Sequence, residues 1–332
     1  MASLYVIETG ARVEVEYQRV IVTAEDETIF RAPIQHVSQV VLIGSAGVTT
    51  PALHKLLHAG IPLLFLDYRG RFLGRLQPAS SYQLPLRLAQ YQKNDDPEFC
   101  LRTARAIVCG KIKNQRTYLR RLAHRGAEIS PSDLLEMKTG AAKAAQAGDL
   151  PGLLGVEGYT ARIFFNGYRR AFNPEWNFTR RARRPPKDAV NAMLSLGYTL
   201  LNQAVIAAIE ITGLDPYLGY FHVEKYGRPA LALDLVEEFR TPIVDSLVYD
   251  LASHHRLTPE DFQSDTFGRA TRLTRSGMRR FVKEFSRKME SEIKTRELDR
   301  PLSYQKHLEV QARKMARCIQ GQETQYQPFQ IR

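Results

Sequence analysis

The stretch RVEVEYQRVIVTAEDETIFRA, residues 12–32, decides the fold of the N-terminal part. Val13 and Val15 alternate with Arg12, Glu14 and Glu16, and Arg19 opens a second run through Val20, Ile21 and Val22. A period of two sends successive side chains to opposite faces of a strand. Working outward, Leu4 to Ile7, Arg12 to Glu16, Arg19 to Thr23, Thr28 to Ala32, Val40 to Ile43, Ile61 to Leu66 and Phe72 to Leu76 all read as short strands. One helix interrupts them. Thr49 or Thr50 caps it, Pro51 holds its first turn, Leu53, Leu56 and Leu57 share a face and Gly60 stops it. His54 and His58 on this helix are spaced for a metal but have no carboxylate nearby, so they read as surface or packing residues.

Pro and Ser between Gln77 and Leu84 mark a change of pattern, and the chain beyond is helical almost to its end. The expected class is therefore α+β. A β-rich domain occupies residues 1–80, a linker 81–94, a mostly helical domain 95–319 and a flexible tail 320–332. Asp95, Asp96 and Pro97 open a long helix through Ile107, Ile112 and Leu119, with Lys111, Lys113, Arg116, Arg120 and Arg121 on its wetter sides. Gly140 to Gly148 reads as a short helix or loop, and Asp149 with Pro151 starts another helix. The most apolar run, Ala192 to Leu214, carries Asn202, Gln203 and Glu210 and reads as a buried helix, not a membrane span.

The 332 residues carry 47 Lys and Arg against 35 Asp and Glu, a net charge of +12. Residues 1–80 are neutral, so the whole excess lies after residue 80. A polyanion such as nucleic acid suits that surface, because cations that neutralise phosphates release counterions. Cys100, Cys109 and Cys318 follow neither disulfide nor zinc spacing, and no signal peptide is visible at the start, so a cytoplasmic location is expected.

Three segments carry acid or imidazole groups on apolar faces. Glu157 has Leu153, Leu154, Ala161, Phe164 and Phe165 as helical neighbours. A buried carboxylate requires a metal, a hydrogen-bond network or a cation such as Arg162 or Arg169. Asp234 and Glu237, three residues apart, share a helix face and can converge on one cation, with Arg240 as the alternative compensation. Glu238 reads as more exposed. His222 follows Gly219, Tyr220 and Phe221 in a short apolar stretch. Together these oxygen and nitrogen donors suit Mg²⁺ or Mn²⁺ better than structural zinc, and no Walker loop suggests a nucleotide cofactor. Arg180, Arg181, Arg183, Arg184 and Lys187, flanked by Trp176 and Phe178, form a basic loop able to hold phosphates or stack on bases, and Arg162 and Arg240 are further candidate DNA contacts.

This constellation resembles the CRISPR-associated protein one family of spacer-acquisition integrases and endonucleases. The resemblance is carried by Lys111 to Gln115, Gly155-Val156-Glu157-Gly158 with Ala161 and Arg162, Asn191 to Tyr198, Gly219 to His222 and Asp234 to Arg240. It implies a β-rich domain that forms a homodimer and a helical domain that holds the metal. Glu157, His222 and Glu237 match the metal ligands, and Asp234 the neighbouring acid. The implied activity joins the 3′-hydroxyl ends of a double-stranded protospacer to a CRISPR repeat by transesterification, with CRISPR-associated protein two as bridging partner. A structure-specific repair nuclease and a non-catalytic DNA-binding scaffold are the rival readings.

Overall fold

The computed structural model describes residues 2–79, 83–182, 185–222, 226–265, 268–295 and 300–331. They form an α+β protein of two compact units, residues 1–81 with 275–286 and residues 82–274 with 287–332.

The first unit holds two four-stranded sheets. β1 (Ala2–Val6), β5 (Val37–Ile43) and β7 (Leu63–Leu66) run parallel, and β8 (Phe72–Leu76) closes that sheet antiparallel to β7. β2 (Arg12–Glu16), β3 (Arg19–Ala24) and β4 (Glu27–Pro33) form an antiparallel meander, with β6 (Gly47–Val48) parallel to β2. Val13, Val20, Val22, Val40, Leu42 and Leu63 share one core, which Leu56 of α1 (Thr50–His58) completes. Thr49 caps α1, its hydroxyl accepting from the Ala52 N–H. The unit also takes in residues 275–286, expected in the helical domain. They belong to α9 (Arg275–Glu290), where Met278, Phe281, Val282 and Phe285 recur at helical spacing and are buried.

The second unit is mostly helical: α2 (Leu84–Asn94), α3 (Pro97–His124), α4 (Pro131–Ala145), α5 (Leu150–Arg169), α6 (Ala189–Thr212), α7 (Ala230–Phe239), α8 (Ser246–Ser253) and α10 (Tyr304–Ile319). A π-helical turn, Arg240–Asp245, joins α7 to α8. Two small strand pairs, β9 (Phe262–Ser264) with β10 (Thr271–Leu273) and β11 (Glu292–Ile293) with β12 (Leu302–Ser303), complete it. Asp96, Asp149 and Asp188 cap α3, α5 and α6 by accepting from N–H groups of the first turn. Among the described residues, α6 alone is long and apolar enough to cross a membrane, and most of it is buried.

Two expectations need correction here. Residues 84–94, expected in a linker, form α2, because Leu86 and Gln90 face inward one turn apart. The C-terminal residues, expected to be flexible, pack as a strap with Tyr326, Phe329 and Ile331 buried. The strap lies so close to α3 that a Cβ at Gly110 would stand 2.6 Å from Pro328 Cβ.

Candidate active site

Four elements of the helical unit bring the site together: α3 supplies Lys111, α5 Glu157, the loop before α7 His222, and α7 Asp234 and Glu237. Lys111 is buried, not on the wet side of α3. Its Nζ donates to Glu157 Oε1 and lies 2.6 Å from Glu237 Oε2. Two carboxylates from different helices thus share one ammonium. Glu157 is paired neither with Arg162, which lies over the Tyr159 ring, nor with Arg169. Leu154, assigned to its apolar face, is exposed.

Glu237 also receives Arg240, whose Nη2 is 3.2 Å from Oε1. Burial by itself raises the Glu237 carboxyl, but the charges of Arg240, then Lys111, outweigh it and hold the group at about 2. Arg240 stacks over Tyr198 at 4.9 Å, and the Tyr198 hydroxyl donates to Asp245, which burial raises to about 6 against that hydrogen bond and one from Thr241.

Asp234 does something different. Its buried carboxylate accepts from the backbone N–H groups of Tyr220 (2.6 Å), Phe221 (3.0 Å) and His222 (2.9 Å), and lies 2.8 Å from His222 Nδ1. A carboxylate only accepts, so Nδ1 carries the proton and Nε2 of a neutral ring is the free acceptor. The tight turn depends on Gly219, where a Cβ would meet Asp234 Oδ2 and Ala230 C at 2.7 Å. Asp234 and Glu237 therefore do not converge on one point, as their spacing suggested. One orients the imidazole and the other meets the cations.

Further residues escaped the sequence reading. Gln90 of α2 is buried and holds the segment leading to His222: its Nε2 donates to the Asp215 and Leu218 carbonyls and its Oε1 accepts from the Asp215 N–H. Glu238, expected to be exposed, is fully buried. It accepts from the Tyr326 hydroxyl, the Phe329 N–H and Gln311 Nε2, and burial, against these bonds, raises it to about 7.

The basic loop is less open than expected. Trp176 and Phe178 are buried and cannot stack on bases. Arg181 donates to the Ala182 carbonyl and Asn191 Oδ1 and lies over Tyr198, so it braces the fold, as Arg240 does beside Glu237. Arg162, Arg180 and Lys187 are exposed, whereas Arg183 and Arg184 lie outside the described residues.

Among the described residues no three Asp, Glu, His or Cys side chains stand close enough to form a ready-made metal cage. The donor chemistry nevertheless fits a hard divalent ion. Glu157 and Glu237 already grip one cation, and His222 lies near enough to Glu237 to act on its carboxylate.

Fold and site together define a two-unit α+β protein with an acid–imidazole cluster in its helical unit. The family model described as CRISPR associated protein Cas1 matches residues 4–287, and the chain belongs to that family. It is 35% identical over 332 residues to CRISPR-associated endonuclease Cas1 3 of Thermus thermophilus, covering 99% of this chain and 97% of that protein. It is 37% identical over 339 residues to a CRISPR-associated exonuclease Cas4/endonuclease Cas1 fusion of Geobacter sulfurreducens, covering 99% of this chain but only 60% of the fusion. Among solved structures, the Cas6-RT-Cas1–Cas2 complex contains a chain that superposes with a TM-score of 0.83 at 27% identity, over 99% of this chain and 36% of that one.

Proposed function

We propose that this chain is a divalent-metal-dependent DNA endonuclease and integrase of CRISPR adaptation, working in the cytoplasm. The observation that carries the reading is the shared grip of Glu157 and Glu237 on one cation beside an imidazole oriented by Asp234. The relatives named as Cas1 endonucleases support it.

Glu157, Glu237 and His222 Nε2 would hold Mg²⁺ or Mn²⁺, and Asp234 fixes the tautomer that leaves Nε2 available. When bound, the metal neutralises charge on the reacting phosphodiester and lowers the pKa of the attacking hydroxyl. In strand transfer the 3′-oxygen of a protospacer end bonds to phosphorus, and the bond from phosphorus to the repeat's 3′-oxygen breaks. One phosphodiester replaces another and the proton passes from nucleophile to leaving group, so no nucleotide is consumed. Water in place of the hydroxyl gives cleavage. Arg240 and Lys111 keep the Glu237 carboxylate ionised. Arg162, Arg180 and Lys187, which are exposed, would contact double-stranded DNA. A homodimer built through the sheet unit and a Cas2 partner complete the proposal; the Cas6-RT-Cas1–Cas2 complex supports the latter.

Purified protein, Mn²⁺ and a branched DNA substrate test this. Joined strands from the wild type, lost in both Glu157→Gln and His222→Ala, are expected. Cut ends without joining would indicate a repair nuclease, and unchanged joining in both variants would refute the site.

A further inference from the structure

The reverse face of α3 carries a basic groove that the candidate active site does not use. Lys113, Arg116, Arg120, Arg121 and His124 line a cavity of about 450 Å³, and among the described residues no carboxylate lines it. Their spacing of three and four residues makes one stripe, turned away from Lys111, so α3 presents its ammonium to the active site on one side and this groove on the other. The helix C-terminus accounts for cations in the last turn, but Lys113 and Arg116 lie two to three turns before it. Lys113 and Arg120 are exposed and make no ion pair among the described residues.

One wall is the C-terminal strap, through Gln330 and Ile331. Its placement is built in. Asn114 Nδ2 donates to the Phe329 carbonyl (2.9 Å) and to that of Glu238 (2.8 Å), while Oδ1 accepts from the Ile331 N–H (3.0 Å).

We propose that this groove is a second nucleic-acid track, gripping the phosphodiester backbone apart from the active site. The stripe runs from Lys113 to His124, eleven steps or about 16 Å at 1.5 Å each, over which one strand of B-form DNA presents about five phosphates at 3.4 Å each. Thr117 and Gln330 add neutral hydrogen-bonding groups of the kind that fix a backbone. An acidic protein surface fits less well, because a protein interface needs an apolar centre and the apolar Ile331 at the groove is buried. The choice of nucleic acid as the polyanion rests on the proposed function; the groove itself does not.

The test is fluorescence anisotropy of a labelled 30-base-pair duplex with the full chain in EDTA, across a salt series, comparing the wild type with the double variant Lys113→Gln/Arg120→Gln. At equal thermal stability, the variant is expected to bind at least tenfold more weakly at low salt. Its log–log salt slope should be shallower by about 2, one contact's worth per lost cation. An unchanged affinity and slope overturns the proposal, as does loss of polyglutamate binding with DNA binding intact. Strand transfer, assayed separately with Mn²⁺, reports on the proposed function. A wild type that joins no strands but shows the slope change retains the track and loses the enzyme.

Discussion

Replacing Lys111 by methionine removes the cation between Glu157 and Glu237 while keeping the length of the buried stem. A Glu237 carboxyl held at about 2 in place of the ordinary 4.5 stands for about 3 kcal/mol at 1.36 kcal/mol per pH unit. That stabilisation is present above pH 4.5 and is lost as pH falls toward 2, because the folded value lies below the unfolded one. The charge of Arg240, the largest single cause that lowers the carboxyl, remains, and Glu157 keeps some solvent. The variant should therefore lose about 2 kcal/mol at pH 7.5, somewhat less than a buried pair broken outright. Urea unfolding in EDTA, followed by the single tryptophan, the buried Trp176, reads this directly. Without a competing ammonium, Mn²⁺ should then bind Lys111→Met more tightly. At a hundredfold excess over its Kd it would return about 2.7 kcal/mol, against a smaller gain for the wild type. A variant within 0.5 kcal/mol of the wild type in EDTA, stabilised equally by Mn²⁺, would refute the reasoning.

Glu238→Gln reports on the strap. Because burial raises Glu238 to about 7, the wild type is most favoured below pH 4.5 and loses about 3 kcal/mol as pH climbs to 7. The glutamine variant should gain on it by that amount between pH 4.5 and 7.5; parallel stability–pH curves would count against this. Gly110→Ala would drive a methyl into Pro328, costing about 1–3 kcal/mol and exposing residues 320–331 to carboxypeptidase, a digestion timed by mass spectrometry. Gly219→Ala would press on Asp234 Oδ2 and break the turn that presents His222, so Mn²⁺-dependent DNA cleavage should fall at least tenfold while the far-UV spectrum is kept.

The strands were legible because alternation and turn residues are local. Arg12–Glu16 and Phe72–Leu76 fall where the pattern puts them, and Thr49 with Pro51 marks the start of α1. The acid and imidazole positions were legible for a related reason: Glu157, Asp234 and Glu237 are charges among apolar neighbours. What they meet was not, since partners come from distant helices. Lys111 occupies a position between Ile107, Val108 and Ile112 that helical spacing makes buried, a signal masked by the exposed cations around it. Glu238 looked like a surface neighbour of Glu237 because its partners, Tyr326, Phe329 and Gln311, lie more than seventy residues away. Gln90 sits in a Pro- and Ser-bordered segment, where one polar side chain bridging a loop leaves no periodic trace.

Anomalous scattering from crystals soaked in manganese addresses the central claim most directly. A single peak within bonding distance of Glu157, Glu237 and His222 Nε2, with the Lys111 ammonium moved off both carboxylates, is the predicted result. Lys111 still bridging the two acids, with manganese absent from them or bound elsewhere, would contradict the account.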